Sequence, residues 1–380
     1  MNKRFPAIMA VCLLPAFLYA QLQEVRARVV DAETGEKLAY VSVYLGEERG
    51  TLTNDDGVFR IQASEQDVLV FSYVGYEKQR IRASSLPATI RMKPFAKTLK
   101  EVVVTPVEAK EILKEVMRHL SEDYKSHKKT TKGYFVRHLI SNTEDSYLVE
   151  GFLMACSAVN LRNEAFLSAI GGKNTEGRES IIRLTSTNIH LLTEVGARTY
   201  QSTYWAQAIK PLKSMRTVRK YYQTDIETLS GENGEKLYRI TFIWNHKMTE
   251  DLRNTRYITG TLYVDATTCR ALSFDGVVNN AYQWVDFFRR PSHISFHMEY
   301  DYADGYAAVS NISVNGGNEM MEYRVLLFNV SDTDLPQDNQ VSMGSNTLDA
   351  VYRVGADSTL WTKEIILRTK KEEEIARGRY

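Results

Sequence analysis

The sequence predicts a mainly β protein in which a small antiparallel β-sandwich precedes an α+β module with a large curved antiparallel sheet and an amphipathic helix. Three observations carry that expectation. Short runs of alternating apolar and polar residues recur through both parts of the chain, turn residues separate them at hairpin spacing, and 3.6-residue periodicity marks the segment 105–124. Composition agrees: 43% hydrophobic and 25% charged residues make an ordinary folded chain, and 380 residues fill two or three domains at roughly 150 each.

The same counts narrow the function classes. Lys and Arg number 48 against 47 Asp and Glu, a formal charge of +1, which argues against a dedicated nucleic-acid binder because phosphate recognition needs a basic field. The first twenty residues read as a secretory leader: Lys3 and Arg4 are the positive region, 7–17 the apolar region, and Ala20 the small residue before cleavage at Gln21. The apolar run is too short to span ~30 Å of hydrocarbon. Lipidation at Cys12 needs a small residue before it, and Val11 stands there. An exported protein, periplasmic or associated with the outer membrane, is expected. The organisation that follows is a leader at 1–20, a sandwich at 21–93, a linker strand at 94–104 and a second module at 105–380 with a charged tail. Beyond the leader, Cys156 and Cys269 remain, enough for one bridge closing 269 − 156 = 113 residues in an oxidising compartment.

Between Glu24 and Met92 about seven short strands alternate with turns. Asp31-Ala32-Glu33-Thr34-Gly35 and Asn54-Asp55-Asp56-Gly57 carry turn chemistry, since Asx side chains bond their own backbone and Gly accepts positive φ. The segment 38–45 alternates with Ala39, Val41, Val43 and Leu45 on one face. Asn54, Asp55 and Asp56 also offer hard oxygen ligands, but the distal Glu of a calcium loop is missing, so the turn reading is preferred. The series Val29-Val30-Asp31, Thr34-Gly35-Glu36-Lys37-Leu38, Val41-Ser42-Val43, Thr53-Asn54-Asp55-Asp56-Gly57-Val58-Phe59 and Phe71-Ser72-Tyr73-Val74-Gly75-Tyr76 resembles the carboxypeptidase regulatory-like domain found at the N-terminus of Bacteroidota cell-envelope proteins. Ala27 departs from it where the family usually carries Gly. The resemblance implies a transthyretin-like sandwich with no catalytic residues of its own.

The stretch 99–104 reads as a short strand similar to the segment before the plug of outer-membrane receptors. Only 380 − 106 = 274 residues follow Pro106, short for a 22-stranded barrel with its plug, whose strands alone need about 220 residues. Thr105-Pro106-Val107-Glu108 has capping-box spacing with Pro at the first helical position, and Ile112, Leu113, Val116, Met117, Leu120 and Tyr124 then recur at helical spacing. Strands are expected at 133–140, 147–159, 221–229, 236–244, 256–264, 271–278, 293–302, 307–314 and 322–330, joined as a meander, with helix or loop insertions at 165–173 and 200–218. Such a sheet over a helix is similar in outline to the periplasmic lipoprotein-carrier fold, an analogy of fold alone. Residues 109–124 and 133–137, with Trp361, Leu367-Arg368-Thr369 and Glu372, resemble the soluble region of uncharacterised Bacteroidota envelope proteins, which brings no known activity. Glu372-Glu373-Glu374 reads as a helical or solvated tail.

Chemistry is sparse. His119 and Glu122 have the His-x-x-Glu spacing of zinc carboxypeptidases, with His246 downstream, yet they sit beside the polar face of the amphipathic segment and read as surface. His293 and His297, four apart in an alternating strand, span about 13 Å, too far to share one ion. No nucleophile elbow, His-Glu-x-x-His, phosphate loop or dinucleotide fingerprint occurs. No catalytic residue, cofactor or metal is therefore assigned, and a non-enzymatic binding or scaffolding protein of the envelope is expected, with a zinc carboxypeptidase-like hydrolase as the alternative. The candidate binding face is Phe296, Met298 and Tyr300 with Phe242 and Trp244, lining a concave sheet that accepts a lipid chain or a partner's apolar segment unless insertions fill it. Lys210, Lys213, Arg216 and Arg219 beside Trp205 form a candidate patch for peripheral contact with an anionic membrane, against the plainer reading of a solvated helix.

Overall fold

The computed structural model describes residues 22–46, 49–97, 108–142, 146–158, 215–244, 257–279, 294–317, 321–330 and 366–376. Its strands form two small sheets and one large one. In the first module β1 (Gln23–Asp31), β4 (Val58–Ala63) and β7 (Thr89–Met92) make one sheet, and β2 (Ser42–Leu45), β3 (Arg49–Leu52), β5 (Val68–Ser72) and β6 (Gln79–Arg82) the other. One correction applies to the antiparallel expectation: β1 runs antiparallel to β4 but parallel to β7. Inward positions of the two sheets meet in a core that includes Val29, Val43, Phe59, Leu69, Phe71 and Met92, all fully buried. Phe59 meets Phe71 edge-on at 5.5 Å, the favoured aromatic arrangement.

The turns behave as their side chains dictate. Asp31 Oδ1 accepts the N–H groups of Glu33 and Thr34 at 2.7 and 2.8 Å, and Asn54 Oδ1 accepts those of Asp56 and Val58, each at 3.0 Å. Gly57 adopts φ +69°, and a Cβ there would stand 2.8 Å from the Val29 carbonyl, so the turn needs glycine on two counts. The strand expected from Leu38 starts only at Ser42, because Tyr40 takes φ +63°, a left-handed conformation that breaks the ladder.

The second module centres on nine long antiparallel strands: β9 (Thr131–Asn142), β10 (Ser146–Cys156), β11 (Tyr222–Ser230), β12 (Lys236–Trp244), β13 (Tyr257–Asp265), β14 (Ala271–Asn279), β15 (Ile294–Asp301), β16 (Ala308–Gly317) and β17 (Met321–Val330). The two-residue β8 (Ala96–Lys97) joins beside β11, so the order is β10-β9-β17-β16-β15-β14-β13-β12-β11-β8. Chain order explains it: β11 to β17 form the meander, and β17 closes against the earlier β9–β10 hairpin. The linker strand anticipated at 99–104 lies outside the described residues.

Among the described residues three α-helices accompany the sheet. The first, α1 (Ala109–His127), buries Ala109, Leu113, Val116 and Leu120, the stripe its 3.6-residue spacing dictates. Its N-cap is Glu108 without a side-chain cap, so the helix begins later than the Thr105 capping box implies, and Thr105 itself lies outside the described residues. Further along come α2 (Met215–Tyr221) and α3 (Lys370–Ala376). A capping box does occur at α3, where Glu372 N–H bonds Thr369 Oγ1 at 3.3 Å and Thr369 N–H bonds Glu372 Oε2 at 2.7 Å. Among the described residues no helix is long and apolar enough to cross a membrane.

Register gives the large sheet two faces of different chemistry. Ile240, Leu262, Phe274, Met298, Ile312 and Leu327 are successive cross-strand partners and all are buried, a continuous apolar row. One residue along, Asp275, His297 and Ser313 are partners, as are Ser273, Glu299 and Asn311. That second, polar face meets the sandwich.

Candidate functional site between the two modules

Strand alternation places His297 and Glu299 on the same face of β15, and the sandwich covers them. The Tyr73 ring, from the loop after β5, lies 5.7 Å from the His297 imidazole. Ser42 Oγ, from β2, is 3.5 Å from Glu299 Oε2, which also accepts from Asn311 Nδ2 at 2.6 Å. His297 Nδ1 is 2.5 Å from Asp275 Oδ1, and its Nε2 is 3.3 Å from Glu299 Oε1. The last contact is a charge attraction only, since neither atom there has a hydrogen-bond partner.

Burial and charge oppose each other at this histidine. Burial pulls the imidazole down, but the Asp275 and Glu299 carboxylates outweigh it and raise His297 from its ordinary 6.5 to about 10. A protonated imidazole between two carboxylates is the state the geometry supports. Tyr73 is pushed well above the usual phenol value, first by burial and then by the charges of Asp275 and Glu299. Tyr44 is raised to about 12, again by burial first, with Glu299 and Asp301 adding to it.

Beside this cluster opens a cavity of about 700 Å³. The sandwich side contributes Ser42, Tyr44, Tyr73, Tyr76 and Phe95, and the sheet contributes Glu235, Asp265, Glu299, Tyr300 and Asp301. A β-bulge shapes the wall: β15 and β16 keep register to Glu299–Asn311, then shift so that Tyr300 faces Val309 and Ser310, another lining residue, is left over. Glu299 Oε1 and Tyr300 OH are buried without a hydrogen-bond partner. Both atoms are sealed from solvent, and Glu299 Oε1 is ion-paired with His297 Nε2.

Polar clasps flank the cavity and hold the modules in register. Arg324 Nη1 reaches Asp55 Oδ2 at 2.6 Å while Tyr40 OH donates to Asp55 Oδ1. Lys93 pairs with Glu232, whose N–H bonds Glu77 Oε1 at 3.0 Å. Leu52 and Tyr40 pack with Phe135, Leu326, Phe328 and Ile366 in a small apolar cluster between them. Asn54 Nδ2 donates to the Arg368 carbonyl at 3.4 Å, so the Asn54–Gly57 turn is a docking element; Asp55 faces Arg324 and Asp56 faces Lys37.

Other sequence-derived sites fall as follows. Phe242, Phe296, Met298 and Tyr300 are 0, 5, 2 and 7% exposed, so these members of the candidate binding face are closed to solvent. Phe242, Phe274 and Phe296 form a ladder with centroids 5.7 and 5.5 Å apart, the first contact tilted and the second edge-on. The Trp244 side chain lies outside what is described. Arg216 and Arg219 are exposed on α2, whereas Lys210, Lys213 and Trp205 lie outside the described residues, as do the insertion at 165–173, His246 and His293. On α1, Glu122 pairs with Arg118 at 2.8 Å and His119 Nδ1 lies 3.3 Å from the Cys269 carbonyl. Among the described residues no group of three or more His, Cys, Asp or Glu is placed to hold a metal ion. The Cys156–Cys269 bridge is corrected: Cys269 is a free thiol in the β13–β14 turn. Its strand β14 stands five positions from β10 in the sheet, about 24 Å at ~4.8 Å per strand, against a ~7 Å limit between bonded Cα atoms.

Residues 25–104 match the model of the CarboxypepD_reg-like domain. No curated protein matches the chain. Among solved structures, a DUF1329 family protein from Desulfovibrio piger is similar with 11% identity and a TM-score of 0.25, covering 59% of this chain and 95% of that one.

Proposed function

We propose that the chain is a non-enzymatic binding protein of a bacterial cell envelope, which holds its ligand between the N-terminal sandwich and the large sheet. The observation behind this reading is the cavity of about 700 Å³ lined from both modules by aromatic residues and carboxylates. That volume lies in the range of sites for small organic ligands, and junctions between domains are where such sites concentrate. Lys3, Arg4 and the apolar run before Ala20 support export to the periplasm or the outer membrane. Residues 25–104 match the CarboxypepD_reg-like domain, and the resemblance of 29–76 to the domain of Bacteroidota envelope proteins supports that source.

The apolar face of the sheet is the weaker candidate for lipid, because the described part of it is packed. The test uses the full chain produced with its own leader in a Gram-negative host. The mature N-terminus is expected at Gln21, and native mass spectrometry of protein released from the envelope is expected to show a bound small molecule. Ala303→Trp, at an exposed lining position, is expected to abolish that adduct while leaving the fold intact. An adduct indifferent to Ala303→Trp, or uncleaved protein left in the cytoplasm, would count against the proposal.

A further inference from the structure

Resting on that reading, we infer that the cavity between the modules selects a small organic cation: an ammonium or guanidinium group carried on an apolar or aromatic body. Among the described residues the walls carry four carboxylates, Glu235, Asp265, Glu299 and Asp301, against one cation, Lys78. Directly behind, Asp275 adds one carboxylate and His297 one imidazole, so with the imidazole protonated these described groups number five anions against two cations. Charges of one sign on a partly enclosed wall focus the field into the opening, which draws in cations and repels a carboxylate or phosphate head.

Two further features point the same way. Tyr44, Tyr73, Tyr76 and Phe95 line the same space, and aromatic rings attract a cation while packing against hydrocarbon. Glu299 lines the cavity with its Oε2 held by Asn311 and its Oε1 paired with His297, which fixes the carboxylate in the wall as a charge. Tyr300, another lining residue, has a buried OH with no hydrogen-bond partner. The carboxylates at Asp265 and Asp301 each spend an oxygen on their own turns, bonding Thr267 and Thr268 or Ala303, and this fixes them as walls. A fatty acid fits this site badly, because its head is an anion and the walls are acidic.

Three isosteric probes separate charge from shape: tryptamine, neutral tryptophol and anionic indole-3-acetate, titrated calorimetrically into the full mature chain. Tryptamine is expected to bind about tenfold or more tighter than tryptophol, the scale of one desolvated cation–π or charged contact, and indole-3-acetate not to bind. Added salt is expected to weaken tryptamine alone. Glu299→Gln should remove the tryptamine advantage while tryptophol binding holds; because Glu299 also touches His297, Asp301→Asn on the half-exposed wall serves as the second variant. Equal binding of the three probes, blocked by Ala303→Trp, would overturn the cation inference and leave the cavity as a binding site. Silence from all three overturns it as well, and an adduct on native protein that Ala303→Trp removes then shows whether the underlying reading survives.

Discussion

Arg137 and Glu150 face each other across the β9–β10 pair with Nε and Oε1 2.5 Å apart, and both side chains are sealed from solvent. Arg368, from the segment before α3, pairs with the same carboxylate, and Arg137 also donates to the Ile366 carbonyl and reaches Glu372 Oε2 at 3.4 Å. The C-terminal segment is thus fastened to the sheet by buried charge. Removing one member strands the others in a low dielectric, so Glu150→Gln is expected to cost about 3–5 kcal/mol in urea unfolding. Burial raises the Glu150 carboxyl, but Arg137 and Arg368 outweigh it and hold it below its ordinary value. A depressed folded-state pKa means stability that is present above the unfolded value and lost as pH falls. Wild type should therefore lose more stability than Glu150→Gln as the pH drops below about 4.5. A loss under 1 kcal/mol at neutral pH would show that the network is not a fastening.

His297 predicts the opposite slope. Its folded-state pKa of about 10 exceeds its ordinary 6.5, so its contribution is complete below pH 6.5 and is lost as pH rises toward 10. The facing groups are Asp275 and Glu299 in the sheet and Tyr73 on the sandwich, and Tyr73 is itself raised, so it stays protonated across this window. The urea midpoint is expected to fall between pH 7 and 10 in the wild type and to stay flatter in His297→Gln. Parallel curves for the two proteins would mean that the imidazole is not held protonated.

Local pattern reached the elements more readily than their partners. The alternation over 236–244 returns as β12, because one buried face suffices to write period two into a strand. Closure of β17 on β9 and the parallel β1–β7 pair join residues far apart in sequence, and no local spacing encodes them. The buried ion network left a weak trace: Arg137 shares strand parity with the buried Phe135 and Leu139, an inward position at which a charge demands a partner. Glu150 stands likewise two residues after buried Leu148. The cavity was illegible for a different reason. Tyr73 ends an apolar run and Tyr76 follows in the break after it, and only the docking of one module on the other places both in one wall with Glu299.

Cys269 gives a test with a clear magnitude. A bridge closing 113 residues would contribute about 4–5 kcal/mol by chain entropy. As a free, partly exposed thiol in a turn, Cys269 is expected to change stability by about 0.5 kcal/mol or less on replacement by Ser, and to react slowly with Ellman's reagent because burial raises its pKa. Thiol counting on denatured, unreduced protein is expected to find Cys156 and Cys269 both as thiols.

Gly276 and Phe296 are cross-strand partners on β14 and β15, and a Cβ at Gly276 would stand 2.5 Å from the Phe296 ring. The ring lies over the glycine, and Gly276 in turn faces Gly260 on β13, where a Cβ would meet the Asp275 carbonyl at 2.2 Å. Two adjacent glycines let the strands approach closely at this point, with the Phe242–Phe274–Phe296 ladder packed along the same face. Gly276→Ala is expected to cost about 1–3 kcal/mol by overpacking, since the neighbouring atoms are an aromatic ring and backbone. Trimming the ring should relieve part of it, so Phe296→Leu with Gly276→Ala is expected to be more stable than the sum of the single losses allows. The coupling is read from a double-mutant cycle in urea, and strict additivity would show that the ring does not rest on the glycine.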